Sequence, residues 1–394
     1  MRIALLIAQS LALLAAGCAT VPRPVASVPA EVRVAFDADE DTAVLARGLA
    51  DRTTGRAVTA DDPVRIASIS KLVVALGVMR LVEAGRLDLD RDVSDYLGWR
   101  LRHPGFPDRA ITLRLLLSHR SGLTDAADYA IPLGETLRER IGKPGVWDMG
   151  HAPGGYFRYT NLNFPVVATV IERVTGERFD QAMQRLVLRP LNLSACYNWA
   201  SCDPDRIAHA VVLYRADGAV AFDGIGQRAG CPVNDATGRC DLGGYRPGDN
   251  GALFSPQGGL RISMRDLAKI GRMILRGGDG FLTRASIDAM IAPVWTFDGG
   301  NGVTGEGGDS GFDCRYGLAV QTLATARAGC HDDPFGDGRA RVGHAGDAYG
   351  LRSGLWLDRA RGTGVAYFAT GVPDGARGAR SAFSPAEERL AQGR

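Results

Sequence analysis

Alternating and continuous apolar positions divide the chain into strands at its two ends and helices between them. Residues 32–36 alternate apolar with polar or small side chains, which predicts a half-buried strand. An acidic turn over 37–41 then leads into a second strand over 43–50. Residues 69–84 are apolar on almost every face of a helix, which predicts a buried helix ending at Gly85, a frequent C-cap residue.

The same patterns continue to the C-terminus. Helical spacing recurs over 113–118, 166–174, 179–188, 264–276 and 284–291, and a capping box begins a last helix at Ser384. Strands are predicted over 316–323, 351–357 and 365–370. Because strands stand at both ends, we expect an α+β fold: one sheet part (31–100 and 250–394) split by a mostly helical insertion over 101–249.

Composition narrows the class of protein. The 394 residues are 45% hydrophobic and 23% charged, as in ordinary globular proteins, and suggest about two domains or one large unit with an insertion. The net charge of +2 gives no basis for nucleic-acid binding. We therefore expect no nucleic-acid partner.

The N-terminus predicts export. Residues 1–17 combine a positive start, an apolar core and small residues, as in a secretory signal peptide. The segment ending at Cys18 resembles a bacterial lipobox, which implies lipidation of that cysteine, and residues 18–30 form a Pro-rich tether. We expect a lipid anchor in the cell envelope, on the periplasmic side and at the outer membrane. Simple cleavage to a soluble periplasmic protein is the alternative.

Six further cysteines suit an oxidising compartment. An even number in an exported chain suggests disulfides, and six cysteines allow 15 connectivities. Their clustering favours neighbouring pairs, namely Cys196–Cys202, Cys231–Cys240 and Cys314–Cys330. Zinc is the competing interpretation, but no Cys-x-x-Cys occurs, so we expect no metal and no other cofactor.

Ser68 and Lys71 form the candidate catalytic pair. Their spacing places a hydroxyl and an amine one helical turn apart on one face. Of 46 basic residues only Lys71, Lys143 and Lys269 are lysines, so this chain has kept Lys beside a serine. Lysine can lose its proton when desolvated and arginine cannot, which indicates a nucleophile with its base. A chance serine N-cap is the structural alternative.

Three ordered segments carry a family resemblance. Val64–Lys71 with Ser68-x-x-Lys71, Phe157–Asn161 with Tyr159-Thr160-Asn161, and Gly343–Gly346 with His344-Ala345-Gly346, placed before a strand, resemble the serine β-lactamase and penicillin-binding-protein superfamily. The similarity extends over about residues 32–371 and is greatest to the class C β-lactamase-related group. It implies a β-lactamase/transpeptidase-like fold, with an antiparallel sheet flanked by helices and a helical insertion.

The resemblance also implies residue roles. Ser68 would be acylated, Lys71 would accept its proton, and Tyr159 would be a second proton-transfer group. Asn161 would bind Lys71 or the substrate amide. The backbone N–H groups of Ser68 and Asp347, the latter just after Gly346, would form the oxyanion hole. His119 is assigned a structural role.

The third motif bears on substrate. The segment His344-Ala345-Gly346 lies where class C β-lactamases resemble one another in carrying Lys-Thr-Gly. We therefore expect a small-molecule or peptide substrate and a DD-peptidase-like hydrolase of D-amino-acid peptides or related amides. Cell-wall peptide is one candidate substrate. A carboxylesterase or β-lactamase on the same scaffold is an alternative. So is a penicillin-binding sensor that turns over slowly.

Overall fold

The structure, a computed structural model, describes residues 29–199, 201–224, 241–305 and 310–394. The predicted signal peptide, the lipidation site Cys18, nearly all of the tether and the Cys231–Cys240 pair lie outside the described residues. Within them, no helix combines the length and apolar character needed to cross a membrane.

Strands account for both ends of the described chain and several short pairings between them. They are β1 Glu31–Asp37, β2 Asp41–Arg47, β3 Leu49–Asp51, β4 Arg56–Ala57, β5 Val64–Arg65, β6 Cys196–Tyr197, β7 Leu213–Tyr214, β8 Val220–Phe222, β9 Leu260–Ile262, β10 Trp295–Thr296, β11 Arg315–Tyr316, β12 Gln321–Leu323, β13 Arg341–Ala348, β14 Leu351–Asp358 and β15 Thr363–Ala369.

The helices are α1 Ile69–Glu83, α2 Ser94–Leu97, α3 Leu113–Leu117, α4 Leu137–Ile141, α5 Asn163–Thr175, α6 Phe179–Met183, α7 Pro204–Ala208, α8 Met264–Leu275, α9 Arg284–Ile291 and α10 Pro385–Gln392. A π-helical turn, Gln184–Leu188, continues α6, and a 3₁₀ turn covers Leu242–Gly244.

An antiparallel sheet joins the two ends of the chain. In the described residues its eight strands run in the order β10-β11-β12-β13-β14-β15-β1-β2. Strand β1 pairs with β15 along its full length, from Glu31 opposite Ala369 to Asp37 opposite Thr363. The strands predicted at the two ends of the sequence therefore belong to one sheet. The division into a sheet part and an insertion over 101–249 stays a prediction.

Helix α1 lies at the centre of the molecule. It packs against β13 and β14 on one side and α5 on another, and nearly all its residues are buried, as its uniform apolar character predicts. A small sheet, β5-β9-β6, holds the chain just before it. Helices α8 and α10 cover the large sheet, with α8 against β1 and β15. The N-terminus of α1 is thus fixed between two sheets.

Three predicted elements differ from those observed. The strand expected over 43–50 is interrupted by Gly48, whose φ is +86°. The strand expected over 316–323 is two short strands, because Gly317 N–H bonds Val320 O and closes a turn. The His344 motif was placed before a strand but lies within β13. That strand is buried along most of its length and rich in Gly and Ala, so no period of two marks it.

Candidate active site

Ser68 is presented by a strained turn between strand and helix. The chain leaves β5 through Ile66, and Ala67 then adopts a left-handed φ of +48° before α1 begins. Such a conformation costs a non-glycine residue on the order of 1 kcal/mol and is common at active sites. Ser68 occupies the N-cap position, yet its side chain makes no capping hydrogen bond. The serine N-cap alternative therefore does not account for this hydroxyl.

Lys71 is completely buried and reaches three oxygen atoms. Its Nζ lies 2.9 Å from Ser68 Oγ, 2.8 Å from Asn161 Oδ1 and 3.0 Å from the carbonyl oxygen of Gln257. Carbonyl and amide oxygens accept hydrogen bonds but cannot donate them. Two N–H bonds of Lys71 are therefore committed to Asn161 and Gln257. The position facing Ser68 is the one at which a neutral amine can hold its lone pair and take the serine proton.

Asp125 fixes the orientation of Asn161. Its carboxylate accepts from Asn161 Nδ2 at 3.0 Å, from the Asn161 backbone N–H at 2.8 Å and from the Leu162 backbone N–H at 2.9 Å. The amide nitrogen is thereby turned away from Lys71, so Oδ1 faces the amine. The sequence analysis did not identify Asp125, because no spacing or motif connects it to Asn161.

Tyr159 lies beside the pair and is packed from behind by His119. The ring centroid of Tyr159 is 4.8 Å from Lys71 Nζ, and the His119 imidazole stacks on the phenol ring at 4.3 Å. His119 is fully buried, and its Nδ1 accepts the backbone N–H of Thr160 at 3.0 Å. This placement agrees with the structural role assigned to His119.

A directional chain of hydrogen bonds runs beneath the site. Because Thr160 donates to His119 Nδ1, His119 Nε2 carries the hydrogen and donates to Tyr316 Oη at 3.2 Å. The Tyr316 hydroxyl donates to His344 Nε2 at 2.7 Å, and His344 Nδ1–H donates to the carbonyl of Ala345. When both imidazoles are neutral, every hydrogen bond in this series has one donor hydrogen and one acceptor.

Burial keeps these groups uncharged. It lowers the pKa of His344 to about 3, with the charge of Lys71 contributing, and it lowers the pKa of His119 well below its usual value. Burial, followed by the charge of Asp313, raises the pKa of Tyr316 well above its usual value. His344 is therefore a neutral hydrogen-bonding group and not a cation near neutral pH.

Gly346 allows strand β13 to approach Ser68. A Cβ at this position would lie 2.3 Å from Ile66 O and 2.3 Å from Ser353 Oγ, far inside contact distance. Ser353 Oγ itself donates to Ile66 O at 2.9 Å, which ties β14 to the turn before the nucleophile. Only glycine fits where these three backbone segments meet.

Asp347 follows on the same edge of β13. Ala345 N–H donates to Gln321 Oε1 at 2.8 Å on the β12 side, and N–H groups two residues apart in a strand point to the same edge. The Asp347 N–H therefore faces that edge, where an oxyanion donor is needed. The Asp347 carboxylate binds Arg352 on β14, so its charge is neutralised.

A cavity of about 120 Å³ opens beside the nucleophile. Its lining contains Ser68, Tyr159, Phe312, Asp313, Gln321, His344, Ala345, Gly346 and Asp347. The structure brings together Ser68, Lys71, Tyr159, Asn161, His344, Gly346 and Asp347, and their catalytic and binding roles stay predictions. It adds Asp125, Asp313, Tyr316 and Gln321, which lie outside the three motifs and gave no signal in the sequence.

Two of the three predicted disulfides fall in described residues and are present. Cys196 is bonded to Cys202, and Cys314 to Cys330. The second bond directly follows Asp313, so it anchors one wall of the cavity.

A half-buried serine and a buried lysine at the start of a central helix face strand β13 across a small cavity, an arrangement suited to a serine nucleophile with its base. The chain belongs to the Beta-lactamase family, which it matches over residues 31–387.

Known proteins agree with this assignment. The chain is 35% identical to Esterase EstB of Burkholderia gladioli over 182 residues, 41% of this chain and 45% of the esterase. The solved structure of D-amino acid amidase from Ochrobactrum anthropi SV3, complexed with D-phenylalanine, superimposes with a TM-score of 0.62 at 21% identity, covering 89% of this chain and 88% of the amidase. The octameric penicillin-binding protein homologue from Pyrococcus abyssi gives 0.63 at 21% identity, covering 93% and 72%.

These comparisons show the family and the fold. The matched segments span less than half the length of the curated relatives, namely 45%, 41% and 38% for the esterase and two penicillin-binding proteins.

Proposed function

We propose that the protein is a serine hydrolase that cleaves small amides or esters, including D-amino-acid derivatives, through an acyl-enzyme on Ser68. The observation that carries this proposal is the environment of Lys71. Two fixed acceptors occupy two of its N–H bonds and leave the third position for Ser68 Oγ at 2.9 Å. A base held within hydrogen-bond reach of a nucleophile is the arrangement that acyl transfer requires.

The site residues and water account for every proton that the proposed reaction moves. Ser68 Oγ gives its proton to neutral Lys71 and forms a bond to the substrate carbonyl carbon. The oxyanion is stabilised by the N–H groups of Ser68 and Asp347. The leaving amine or alcohol departs with a proton returned by Lys71 or Tyr159, and a water molecule then cleaves the ester to release acid and free Ser68.

A carboxylesterase that acts on esters and not on amides is the second candidate, and two observations favour it. One relative is named an esterase, with 35% identity over the shared segment. In addition, burial is the largest cause that holds His344 neutral, so the third motif supplies no cation for a substrate carboxylate. Penicillins and D-Ala-D-Ala peptides both carry such a carboxylate.

Covalent labelling tests the nucleophile. A fluorophosphonate probe should add one adduct per chain, detected by intact mass, and Ser68→Ala should abolish it. Ser70→Ala is the matched control, because Ser70 Oγ accepts the Leu260 backbone N–H at 3.1 Å and takes no part in the proposed reaction. Stoichiometric labelling of the Ser68→Ala protein would refute the assignment.

Substrate class is tested on the same protein. Incubation in turn with a p-nitrophenyl ester, a D-amino-acid amide, a D-Ala-D-Ala peptide and a penicillin should give turnover of the first two. An adduct that persists with penicillin and no turnover of any substrate would instead indicate a sensor.

We also propose export with a lipid anchor at Cys18. The bonds Cys196–Cys202 and Cys314–Cys330 support an oxidising compartment. Cys18→Ala should move the protein from the membrane fraction to the soluble fraction and abolish incorporation of labelled palmitate. Unchanged fractionation and labelling would contradict the anchor.

A further inference from the structure

A second cavity lies at the far end of α1 from Ser68. It has a volume of about 510 Å³, within the usual range for small-molecule sites, and none of its described lining residues belongs to the catalytic cavity. Arg80, in the last turn of α1, lines this cavity and lies about 18 Å along the helix from Ser68. The cavity is therefore separate from the proposed catalytic site.

Basic side chains dominate the polar part of this cavity. Four of its described lining residues are basic and one is acidic, namely Arg80, Lys269, Arg272, Arg276 and Asp279. Lys269 and Arg272 belong to α8, and Arg276 is its C-cap residue. Their spacing, three and then four positions, places these three cations along one face of the helix. Like charges at such spacing repel one another, so an anion among them would stabilise this face.

Carboxylates of the protein offset part of this charge. Each of the three α8 cations has one carboxylate partner, in the pairs Lys269–Asp266, Arg272–Asp41 and Arg276–Asp279. Asp41 is shared, because it also pairs with Arg265. Among the described residues, the Arg272 guanidinium uses one of its five N–H donors on Asp41. The α8 face therefore keeps hydrogen-bonding capacity for an added anion.

Arg80 is half-buried and has no carboxylate partner in the part of the chain that the structure describes. Its Nη1 donates to the Phe281 carbonyl oxygen at 2.7 Å, and its buried Nε has no hydrogen-bond partner there. The carboxylate of Glu83, one helical turn further on, accepts the backbone N–H and the hydroxyl of Thr283 instead, each at 2.8 Å. Removing a guanidinium from water without a counter-charge is costly, and an anion in the cavity would supply that charge.

The same cavity offers an apolar surface beside the cations. Leu191, Met273 and Phe281 line it, and the Arg80 guanidinium lies 5.1 Å from the centre of the Phe281 ring. A guanidinium presents a planar fork of donors that fits phosphate oxygens, and lysine binds phosphate as a point charge. Several cations beside an apolar wall therefore fit a phosphate that carries an organic group.

We propose that this second cavity binds an organic phosphate. The phosphate is held by Arg80, Lys269 and Arg272, and the organic part packs on Leu191 and Phe281. A soluble phosphate ester and a phospholipid headgroup share this chemistry. Binding here involves no residue of the catalytic cavity, so it is independent of the proposed hydrolase activity.

Titration calorimetry with sn-glycerol 3-phosphate tests the soluble form of the ligand. We expect one saturable site per chain, with binding weakened by added salt because salt screens exposed charges, and no binding of glycerol, which lacks the phosphate. Dihexanoyl phosphatidic acid, a short-chain lipid with the same phosphate group, tests the lipid form. Tighter binding of the lipid would identify a headgroup site, and equal or tighter binding of the glycerol phosphate would identify a soluble ligand.

Two variants connect binding to this cavity. Arg80→Gln should raise the Kd by about tenfold or more, as expected for the loss of hydrogen bonds to a charged group. Lys269→Gln changes a side chain that is 41% exposed, so the fold should be kept, and it should raise the Kd by about two- to fivefold. Arg86→Gln is the matched control, because Arg86 follows α1, donates to the Val174 carbonyl oxygen and does not line the cavity. It should bind both probes as the wild type does.

Thermal unfolding of each variant without ligand separates lost binding from lost folding. A folded Arg80→Gln protein with the wild-type Kd would overturn the proposal, and so would a wild type that shows no saturable binding of either probe. If Arg80→Gln does not fold, an unchanged Kd in Lys269→Gln would overturn the proposal in the same way.

Discussion

Lys71 Nζ lies 2.9 Å from Ser68 Oγ, and its other two hydrogen bonds end on atoms that can only accept. This relationship places the amine as a base against the serine hydroxyl. It depends on a group that can lose a proton, which lysine can do in a buried site and arginine cannot.

Lys71→Arg should therefore be nearly as damaging as Lys71→Ala. Charge is preserved, but no proton can be accepted, and the larger guanidinium does not fit a site with no exposed surface. We expect the rate of acylation by a p-nitrophenyl ester, measured as the pre-steady-state burst, to fall by about 10³-fold or more in both variants. Lys143→Arg, at a lysine whose side chain is 48% exposed and pairs with Glu135, is the control and should keep the wild-type burst. A normal burst from Lys71→Arg would remove Lys71 as the base.

Gly346→Ala should disable the site with little change in its polar groups. The added Cβ would lie 2.3 Å from Ile66 O, a backbone atom that cannot move aside cheaply. Strand β13 must then shift away from Ser68, taking the Asp347 N–H out of reach of the oxyanion. We expect kcat to fall by about 10²- to 10³-fold, the usual effect of losing one such donor.

The control for that variant is Gly300→Ala. An added Cβ at Gly300 would meet no atom within 4 Å, and its backbone is not in the left-handed region. Steady-state kinetics and thermal unfolding of both variants show whether activity needs the close approach of β13 to Ser68. A Gly346→Ala protein with wild-type kcat would show that the close approach of β13 is not needed.

The sequence predicted those parts of the site that depend on local spacing. Ser68 and Lys71 lie one helical turn apart, so their proximity follows from the helix. Tyr159, Asn161 and His344 came from the family resemblance, which assigns residues to one site without giving their geometry. Asp125, Asp313, Tyr316 and Gln321 reach the site by tertiary packing from separate segments, and no local period marks them. Strand β13 was missed for a related reason, since burial on both faces removes the alternation that identifies a strand.

Tyr316→Phe tests the buried chain from His119 to His344. The change removes one hydroxyl and leaves His119 Nε2–H without its acceptor and His344 Nε2 without its donor. Leaving buried polar groups unsatisfied costs about 1–3 kcal/mol each, so we expect a lower melting temperature. Because His344 lies on the strand that carries Gly346 and Asp347, we also expect a fall in kcat of about tenfold with a smaller change in KM.

Tyr197→Phe is the matched control for the tyrosine variant. Tyr197 is fully buried, and among the described residues its hydroxyl has no hydrogen-bond partner. Removing that hydroxyl should leave the melting temperature unchanged or raise it, with activity intact. If Tyr316→Phe behaved like Tyr197→Phe in both measurements, the hydrogen-bond chain would have no positioning role.

Glu172 should make the free energy of unfolding decrease as pH rises, whereas an exposed, ion-paired carboxylate makes it increase. It lies in α5 and accepts the Phe179 N–H at 2.8 Å and the Gly248 N–H at 2.7 Å, yet burial outweighs these bonds and raises its pKa to about 7. Between its unfolded pKa, near 4.3, and about 7, the folded protein keeps a proton that the unfolded chain releases. The free energy of unfolding should therefore decrease as pH rises through this window.

Glu172→Gln isolates that contribution to stability. Glu387, whose pKa burial also raises to about 7, is unchanged in both proteins and adds the same slope to each. Urea unfolding at several values between about pH 4.5 and pH 7.5 should show a decline in the wild type that is steeper than in Glu172→Gln, with the difference on the order of 1–3 kcal/mol over the window. The variant has no proton to release, but its amide nitrogen cannot accept the bonds that one carboxylate oxygen accepts, so the slopes and not the absolute stabilities are compared. Parallel curves for the two proteins would show that Glu172 titrates alike in the folded and unfolded chains, and that its burial does not hold the proton.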